Sequence, residues 1–138
     1  MKLFITASFL GEANKSEIEQ LCAVVRGAGF EDFCFVRDVE GYVKTFSDPQ
    51  KLMQCAAEEV KKCDGLLLDV SEKSTGRTLE AGIAFGAGKK VLLIAKSGTI
   101  VKDTLLGIAS VPVIYYDSIT DILPKLIQAR LTTTTKLS

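Results

Sequence analysis

Short apolar runs alternate along the chain with segments of helical periodicity, and this alternation limits the possible folds severely. The runs are KLFITAS, DFCFV, GLLLDV, KVLLIA and VPVIYY. Strands that alternate with helices form parallel sheets, because the crossover between parallel strands usually contains a helix. The sequence therefore predicts an α/β fold in three layers, a five-stranded parallel sheet with helices on both faces.

The composition agrees with strands that are buried on both faces. Hydrophobic residues make up 47% of the 138 residues, and parallel strands covered by helices need no polar side. The length predicts a single domain over residues 1–131, followed by a flexible tail at residues 132–138. This arrangement is flavodoxin/Rossmann-like.

Charge and cysteine usage limit the partners. Seventeen basic and seventeen acidic residues cancel, without a basic stripe, so no nucleic-acid polymer is expected as a partner.

No apolar run approaches the roughly 20 residues of a membrane helix, and the first run is interpreted as a strand rather than a signal peptide. The cysteines lack C-x-x-C spacing and lie in apolar stretches, which predicts free buried thiols and a cytoplasmic protein. They are Cys22, Cys34, Cys55 and Cys63.

The chain contains no histidine. Its absence excludes Ser-His-Asp and Cys-His catalysis and most catalytic zinc sites. The sequence also lacks G-x-G-x-x-G and the Walker phosphate loop, so dinucleotide and Walker-type sites are not expected. Carboxylates become the first candidates for catalysis, and no metal or organic cofactor is predicted.

Several local patterns predict where the helices begin and how they pack. The capping box Ser16-x-x-Glu19 predicts the start of the first long helix, and Asp48-Pro49 predicts the start of another. Gly82 and Gly86 lie four residues apart, which predicts close approach of that helix to the sheet or to another helix. The stretch RDVEGYVKTFS, residues 37–47, is long for a loop in such a fold and is a candidate flap over the substrate.

Ligands of open parallel sheets bind beyond the carboxyl ends of the strands, where two carboxylates stand out. With a helix predicted from about Gly76, Glu80 falls in or just after the first turn. There the helix dipole would keep it ionised, as a nucleophile requires. Glu80 could equally serve only to complement the dipole. Asp69 ends a buried strand and is either catalytic or a cap for the next loop through Ser71 or Ser74.

Two further groups at strand ends could bind a ligand. Ser8, Phe9 and Gly11 follow the first strand and offer a hydroxyl, a stacking ring and close approach of the backbone, or they form an ordinary turn. Residues 96–99 and Lys102 form a polar, basic cluster that would suit a phosphate, or a solvated loop.

The segment DVSEKSTGRTLEAGIAFGAGKKVLLI resembles the core of the nucleoside 2-deoxyribosyltransferase superfamily, which includes 2'-deoxynucleoside 5'-phosphate N-hydrolases. The resemblance runs from FITASFLG through Leu106-Gly107. Its specific part is the motif Gly-x-x-x-Glu-x-Gly-x-Ala-x-x-x-Gly-Lys. The matching residues are Gly76, Glu80, Gly82, Ala84, Gly88 and Lys89.

The resemblance implies an N-glycosidase or deoxyribosyltransferase acting on a nucleoside or nucleotide. Glu80 would be the nucleophile, Ser74 would contact sugar or phosphate, and Ser8 would lie against the substrate. Lys102 falls near a loop that reaches the phosphate across a homodimer, so a homodimer or larger homo-oligomer is implied. Asp69 would assist departure of the base.

The chain departs from the family at three positions. Ala56 stands where an Asp is usual, and Phe4 and Leu10 replace a Tyr and an Arg of the hydrolase branch. These departures leave two alternatives open, a nucleotide-binding module without turnover and a TIR-like NAD-cleaving domain. Ribose or deoxyribose, and hydrolysis or transfer, are also left open.

Overall fold

The computed structural model describes residues 1–137, apart from the side chains of residue 13 and residues 133–137. The strands are β1 (Lys2–Ile5), β2 (Glu31–Cys34), β3 (Gly65–Asp69), β4 (Lys90–Lys96) and β5 (Ile114–Tyr116). All neighbouring pairs are parallel, in the order β2-β1-β3-β4-β5. The predicted α/β sheet is confirmed, with GLLLDV at its centre.

The helices of the described chain are α1 (Glu12–Gly27), α2 (Phe35–Asp38), α3 (Pro49–Lys62), α4 (Thr75–Gly86), α5 (Asp103–Leu106) and α6 (Ile122–Leu137). A 3₁₀ turn at Ile119–Asp121 precedes α6. Within residues 1–137, no helix combines the length and apolar character that a membrane span requires. The predicted tail begins inside α6 and falls mostly outside the residues described in full, so its flexibility stays a prediction.

The core has two halves because successive side chains of a buried strand point to opposite faces of the sheet. Leu3 and Ile5 of β1 pack on one face in a cluster that includes side chains of α1 and α6. Phe4, between them, packs on the other face with side chains of α3 and α4. All three are fully buried.

The first long helix begins earlier than the sequence predicted. Gly11 adopts φ 109°, a conformation that favours glycine, and its carbonyl accepts hydrogen bonds from the backbone N–H groups of Asn14 and Lys15. Ser16 therefore lies inside α1 and caps nothing, and the predicted capping box is wrong. Its other member, Glu19, instead accepts a hydrogen bond from the Tyr42 hydroxyl.

The prediction for α3 is confirmed. The Asp48 carboxylate accepts a hydrogen bond from the Gln50 backbone N–H at 2.9 Å, and Pro49 occupies the first helical position, where it needs no N–H partner.

Close backbone packing occurs at a different glycine from those predicted. A Cβ added at Gly82 or Gly86 would meet no other atom within 4 Å, so within one chain α4 makes no close approach there. At Gly65 an added Cβ would lie 2.9 Å from Leu3 Cδ2 and 3.0 Å from the carbonyl oxygen of Lys90. The absence of a side chain at Gly65 therefore lets β1, β3 and β4 come together.

The cysteines are free thiols, as predicted, and three of them are buried. Cys55 on α3 is only partly buried, contrary to the prediction for that residue.

Candidate active site

Three cavities lie along the carboxyl ends of the strands, the edge at which open parallel sheets bind their ligands. The Glu80 cavity, of about 140 Å³, lies between the end of β1, α2, α3 and α4. The Tyr116 cavity, of about 190 Å³, lies between the loops after β1 and β3 and the end of β5. The Lys102 cavity, of about 570 Å³, lies between the loop before α4 and the loop after β4.

Glu80 lies in the second turn of α4, because the helix begins at Ser74. The Ser74 side chain accepts a hydrogen bond from the backbone N–H of Arg77, and Thr78 donates its hydroxyl to the Ser74 carbonyl at 2.7 Å. Glu80 is six residues past this cap, beyond the first turn where the helix dipole acts. The expectation that the dipole keeps Glu80 ionised is therefore wrong.

Burial controls the ionisation of Glu80 instead. The pKa of Glu80 is raised from its ordinary 4.5 to about 7, chiefly by desolvation and also by the neighbouring Cys34 and Glu40 side chains. The positive charge of Arg77 acts in the opposite direction. A carboxyl whose pKa lies near neutrality, in a cavity at the ligand-binding edge of the sheet, is typical of a functional group.

The Glu80 cavity brings together several of the predicted residues. Ser8 in the loop after β1 and Gly76 at the start of α4 line it with Glu80. Its other lining residues are Phe4, Thr6, Ala7, Phe35, Val36, Glu40, Leu52, Met53, Ala56 and Arg77. The mixture of apolar walls and a few polar groups is usual for a small-molecule site.

Two polar atoms in these walls lack a hydrogen-bond partner within the described structure. They are Thr6 Oγ1, on a residue only 3% exposed, and Arg77 Nε. Both residues line the Glu80 cavity and the Tyr116 cavity. Because a buried polar group without a partner is costly, these atoms are available to hydrogen-bond a bound molecule.

Asp69 is not in the Glu80 cavity. Its carboxylate accepts hydrogen bonds from the Ser71 backbone N–H at 2.9 Å and from the Tyr116 hydroxyl. The loop cap through Ser71, one of the two alternatives for Asp69, is thus present. Asp69 lines both the Tyr116 cavity and the Lys102 cavity. The sequence analysis missed Tyr116, although its position at the end of the last apolar run was a signal.

The remaining predicted residues either line the Lys102 cavity or lie outside all three cavities. Ser74 and Lys102 both line the Lys102 cavity. Phe9 packs edge-on against the Tyr42 ring, with 5.4 Å between centroids, and Gly11 begins the turn into α1. Neither Phe9 nor Gly11 lines any of the three cavities.

The sequence analysis also missed Glu40, a second carboxylate in the Glu80 cavity. Glu40 follows α2 and lies within the segment 37–47, which was predicted as a flap, so that segment contributes to the cavity wall. Among the residues whose side chains are described, no cluster of three potential metal ligands occurs.

Known structures share this fold. A CMP N-glycosidase from Clostridium botulinum, BcmB, is 23% identical with a TM-score of 0.67, covering 91% of this chain and 98% of its own. A 2-deoxyribosyltransferase from Bacillus psychrosaccharolyticus is 19% identical with a TM-score of 0.68, covering 89% and 90%. A conserved protein from Enterococcus faecalis V583 is 12% identical with a TM-score of 0.73, covering 94% and 98%.

No protein-family model and no curated protein matches the sequence. At this level of identity the structural likenesses show the fold alone. The chain thus shares its α/β fold with an N-glycosidase and a 2-deoxyribosyltransferase.

Proposed function

We propose that the protein cleaves the N-glycosidic bond of a nucleoside, a deoxynucleoside or a 5'-monophosphate of either. The observation that carries the proposal is the position of Glu80, a partly buried carboxyl with a pKa of about 7, in a cavity at the ligand-binding edge of the sheet. The glycosidase and the transferase with the same fold support it. The reaction is hydrolysis or transfer to a second base.

In the first step, an oxygen of ionised Glu80 attacks the anomeric carbon as the bond to the base breaks. The transition state resembles an oxocarbenium ion, and the product is a glycosyl ester of Glu80. In the second step, water or another base attacks the same carbon and releases Glu80. Two displacements retain the configuration of the sugar, as in retaining glycosidases.

The polar groups around Glu80 are the proposed binding groups for the substrate. Ser8 and Gly76 line the same cavity and are placed to contact the sugar, with Thr6 Oγ1 and Arg77 Nε as unpartnered donors. Ser74 and Lys102 line the adjoining Lys102 cavity, where a cation and a hydroxyl suit a 5'-phosphate.

A binding module without turnover is the second candidate, favoured by Ala56. This residue lines the Glu80 cavity, is only 2% exposed and offers no polar atom on its side chain. Base release separates the candidates, because an enzyme liberates free base whereas a binding module holds the ligand unchanged. Loss of release in Glu80→Ala assigns the chemistry to Glu80, and release of nicotinamide from NAD would indicate the TIR-like activity.

A further inference from the structure

We infer that Glu40 is the general acid that protonates the departing base, an assignment that rests on the proposed glycosidic function. A base leaves an anomeric carbon far more readily when a proton neutralises the charge that develops on it. Retaining glycosidases use two carboxyl groups for this reason, one as nucleophile and one as acid. The Glu80 cavity has two carboxylates in its lining, Glu80 and Glu40.

The two carboxylates enter the cavity from different parts of the chain. Glu80 belongs to α4, whereas Glu40 belongs to the segment between α2 and α3. Ala56 of α3 also lines the cavity, and its methyl group cannot hydrogen-bond to either carboxylate. Arg77 is the only other charged residue in the lining and can serve as a donor but not as a proton source near neutral pH.

The backbone holds Glu40 in place while its carboxyl group stays unengaged. The Glu40 N–H donates to the Phe35 carbonyl at 3.1 Å, and the Glu40 carbonyl accepts from the Thr45 hydroxyl at 3.1 Å. Gly41 and Tyr42, which follow, both have φ near +60°, and the Tyr42 N–H donates to Val36 at 2.8 Å. In the described structure no hydrogen bond or ion pair engages the Glu40 carboxyl group, so it is free for a ligand.

The surroundings raise the pKa of both carboxyl groups. Burial raises the pKa of Glu40 above its ordinary value, and it raises that of Glu80 to about 7. The other titratable and charged groups that act on this pair are Arg77 from α4, Cys34 from β2 and Cys55 from α3. The charge of Glu40 contributes to the raised pKa of Glu80, and by the same repulsion an ionised Glu80 favours the protonated form of Glu40.

The proton and the electron pairs balance across the two steps. As Glu80 forms its bond to the anomeric carbon, the electron pair of the glycosidic bond moves to the base and Glu40 transfers its proton to a ring atom of that base. The base leaves neutral and Glu40 becomes a carboxylate. Ionised Glu40 then takes a proton from the attacking water, whose oxygen binds the anomeric carbon as the ester bond to Glu80 breaks.

The productive state therefore has Glu80 ionised and Glu40 protonated in the same molecule. The pH profile of kcat/KM is expected to be bell-shaped. Its acid limb and its alkaline limb report two apparent pKa values that describe Glu40 and Glu80 together. Glu40→Gln keeps the shape of the side chain and removes its titration. The alkaline limb should disappear in this variant.

The decisive experiment compares two kinds of leaving base in wild type and Glu40→Gln. For a substrate with a neutral base, such as deoxyadenosine or its monophosphate, kcat should fall by about 10²–10⁴-fold. For 7-methylguanosine or nicotinamide riboside, whose bases already carry positive charge, it should fall by less than about tenfold because no proton is needed. Glu58→Gln, at an exposed position on α3, is the matched control and should retain wild-type rates.

Each outcome separates this assignment from the function on which it rests. If wild type releases base and Glu80→Ala does not, yet Glu40→Gln keeps the wild-type rate and alkaline limb, Glu40 is not the acid. If Asp69→Asn instead shows the dependence on the leaving base, the acid is Asp69. An equal loss for both kinds of base would also overturn the assignment, since it indicates a role in binding. Absence of release by wild type from every substrate overturns both proposals.

Discussion

At the scale of single residues, the central feature is the carboxyl group of Glu80, whose pKa lies near 7 because the group is desolvated. The pKa of Glu80 rises to about 7 chiefly because its ionised form loses hydration in the cavity. The proposed role of Glu80 as nucleophile requires its ionised form, whose loss of hydration in the cavity lowers stability. Active sites commonly carry such a cost in stability.

This cost gives a prediction about stability. Between pH 4.5 and 7 the folded protein retains a proton on Glu80 that the unfolded chain has released, so stability falls as the pH rises through this range. Glu80→Gln should therefore raise the free energy of unfolding at pH 8 by about 1–3 kcal/mol, with no difference below pH 4.5. Denaturant unfolding at both pH values measures it, with the exposed Glu58→Gln as control. A less stable Glu80→Gln protein at pH 8 would contradict the account.

At the scale of elements, patterns that depend on local chemistry predicted the fold well. Alternating apolar runs predicted the five parallel strands, and Asp48-Pro49 predicted the start of α3. The capping box at Ser16 failed because the backbone turn at Gly11 begins α1 one turn earlier. Sequence shows the potential of a side chain to cap a helix, but the course of the preceding loop decides whether it does.

The candidate site was predictable only where it lies on regular elements. Ser8 follows β1, and Gly76 and Glu80 lie in the first two turns of α4, and the structure brings all three into one cavity. Glu40 lies in an irregular segment, whose path depends on turns at Gly41 and Tyr42 that no periodicity encodes. The sequence correctly placed Asp69 at the carboxyl ends of the strands, but the direction of its side chain depends on contacts between distant strands.

The packing of the central strands gives a prediction at this scale. Gly65→Ala would place a methyl group 2.9 Å from Leu3 Cδ2 and 3.0 Å from the Lys90 carbonyl, and overpacking of this kind costs about 1–3 kcal/mol. Gly27→Ala, at the end of α1, would meet Leu123 Cδ1 at an ordinary 3.4 Å and should leave stability almost unchanged. Thermal or denaturant unfolding of both variants tests this. Equal stabilities would show that the strands adjust freely at Gly65.

At the scale of the whole molecule, one face of α4 is exposed and apolar. Leu79 is 53% exposed, and Gly82 and Gly86 follow it on the same side of the helix with open space above them. Leu79 also lines the Lys102 cavity together with Ile100, which is 94% exposed. We expect a second copy of the chain to cover this apolar face and to complete the wall of the Lys102 cavity.

The expected assembly is therefore a homodimer through this face. Wild type should sediment as a dimer at micromolar concentration, whereas Leu79→Glu should be monomeric because it places a charge in the apolar contact. Val43→Glu changes another exposed apolar residue, in the segment between α2 and α3, and should remain dimeric. A monomeric wild type, or a Leu79→Glu protein that stays dimeric, would exclude this interface.

The central claim, that Glu80 carries out cleavage of the N-glycosidic bond, is tested most directly by release of free base. Chromatography would follow nucleosides, their 5'-monophosphates and NAD incubated with wild type, Glu80→Ala and Glu58→Ala. The account predicts release by wild type and Glu58→Ala from at least one nucleoside or nucleotide, and a decrease of about 10³-fold or more in Glu80→Ala. Release that continues unchanged in Glu80→Ala, or ligand binding without release by wild type, would contradict it.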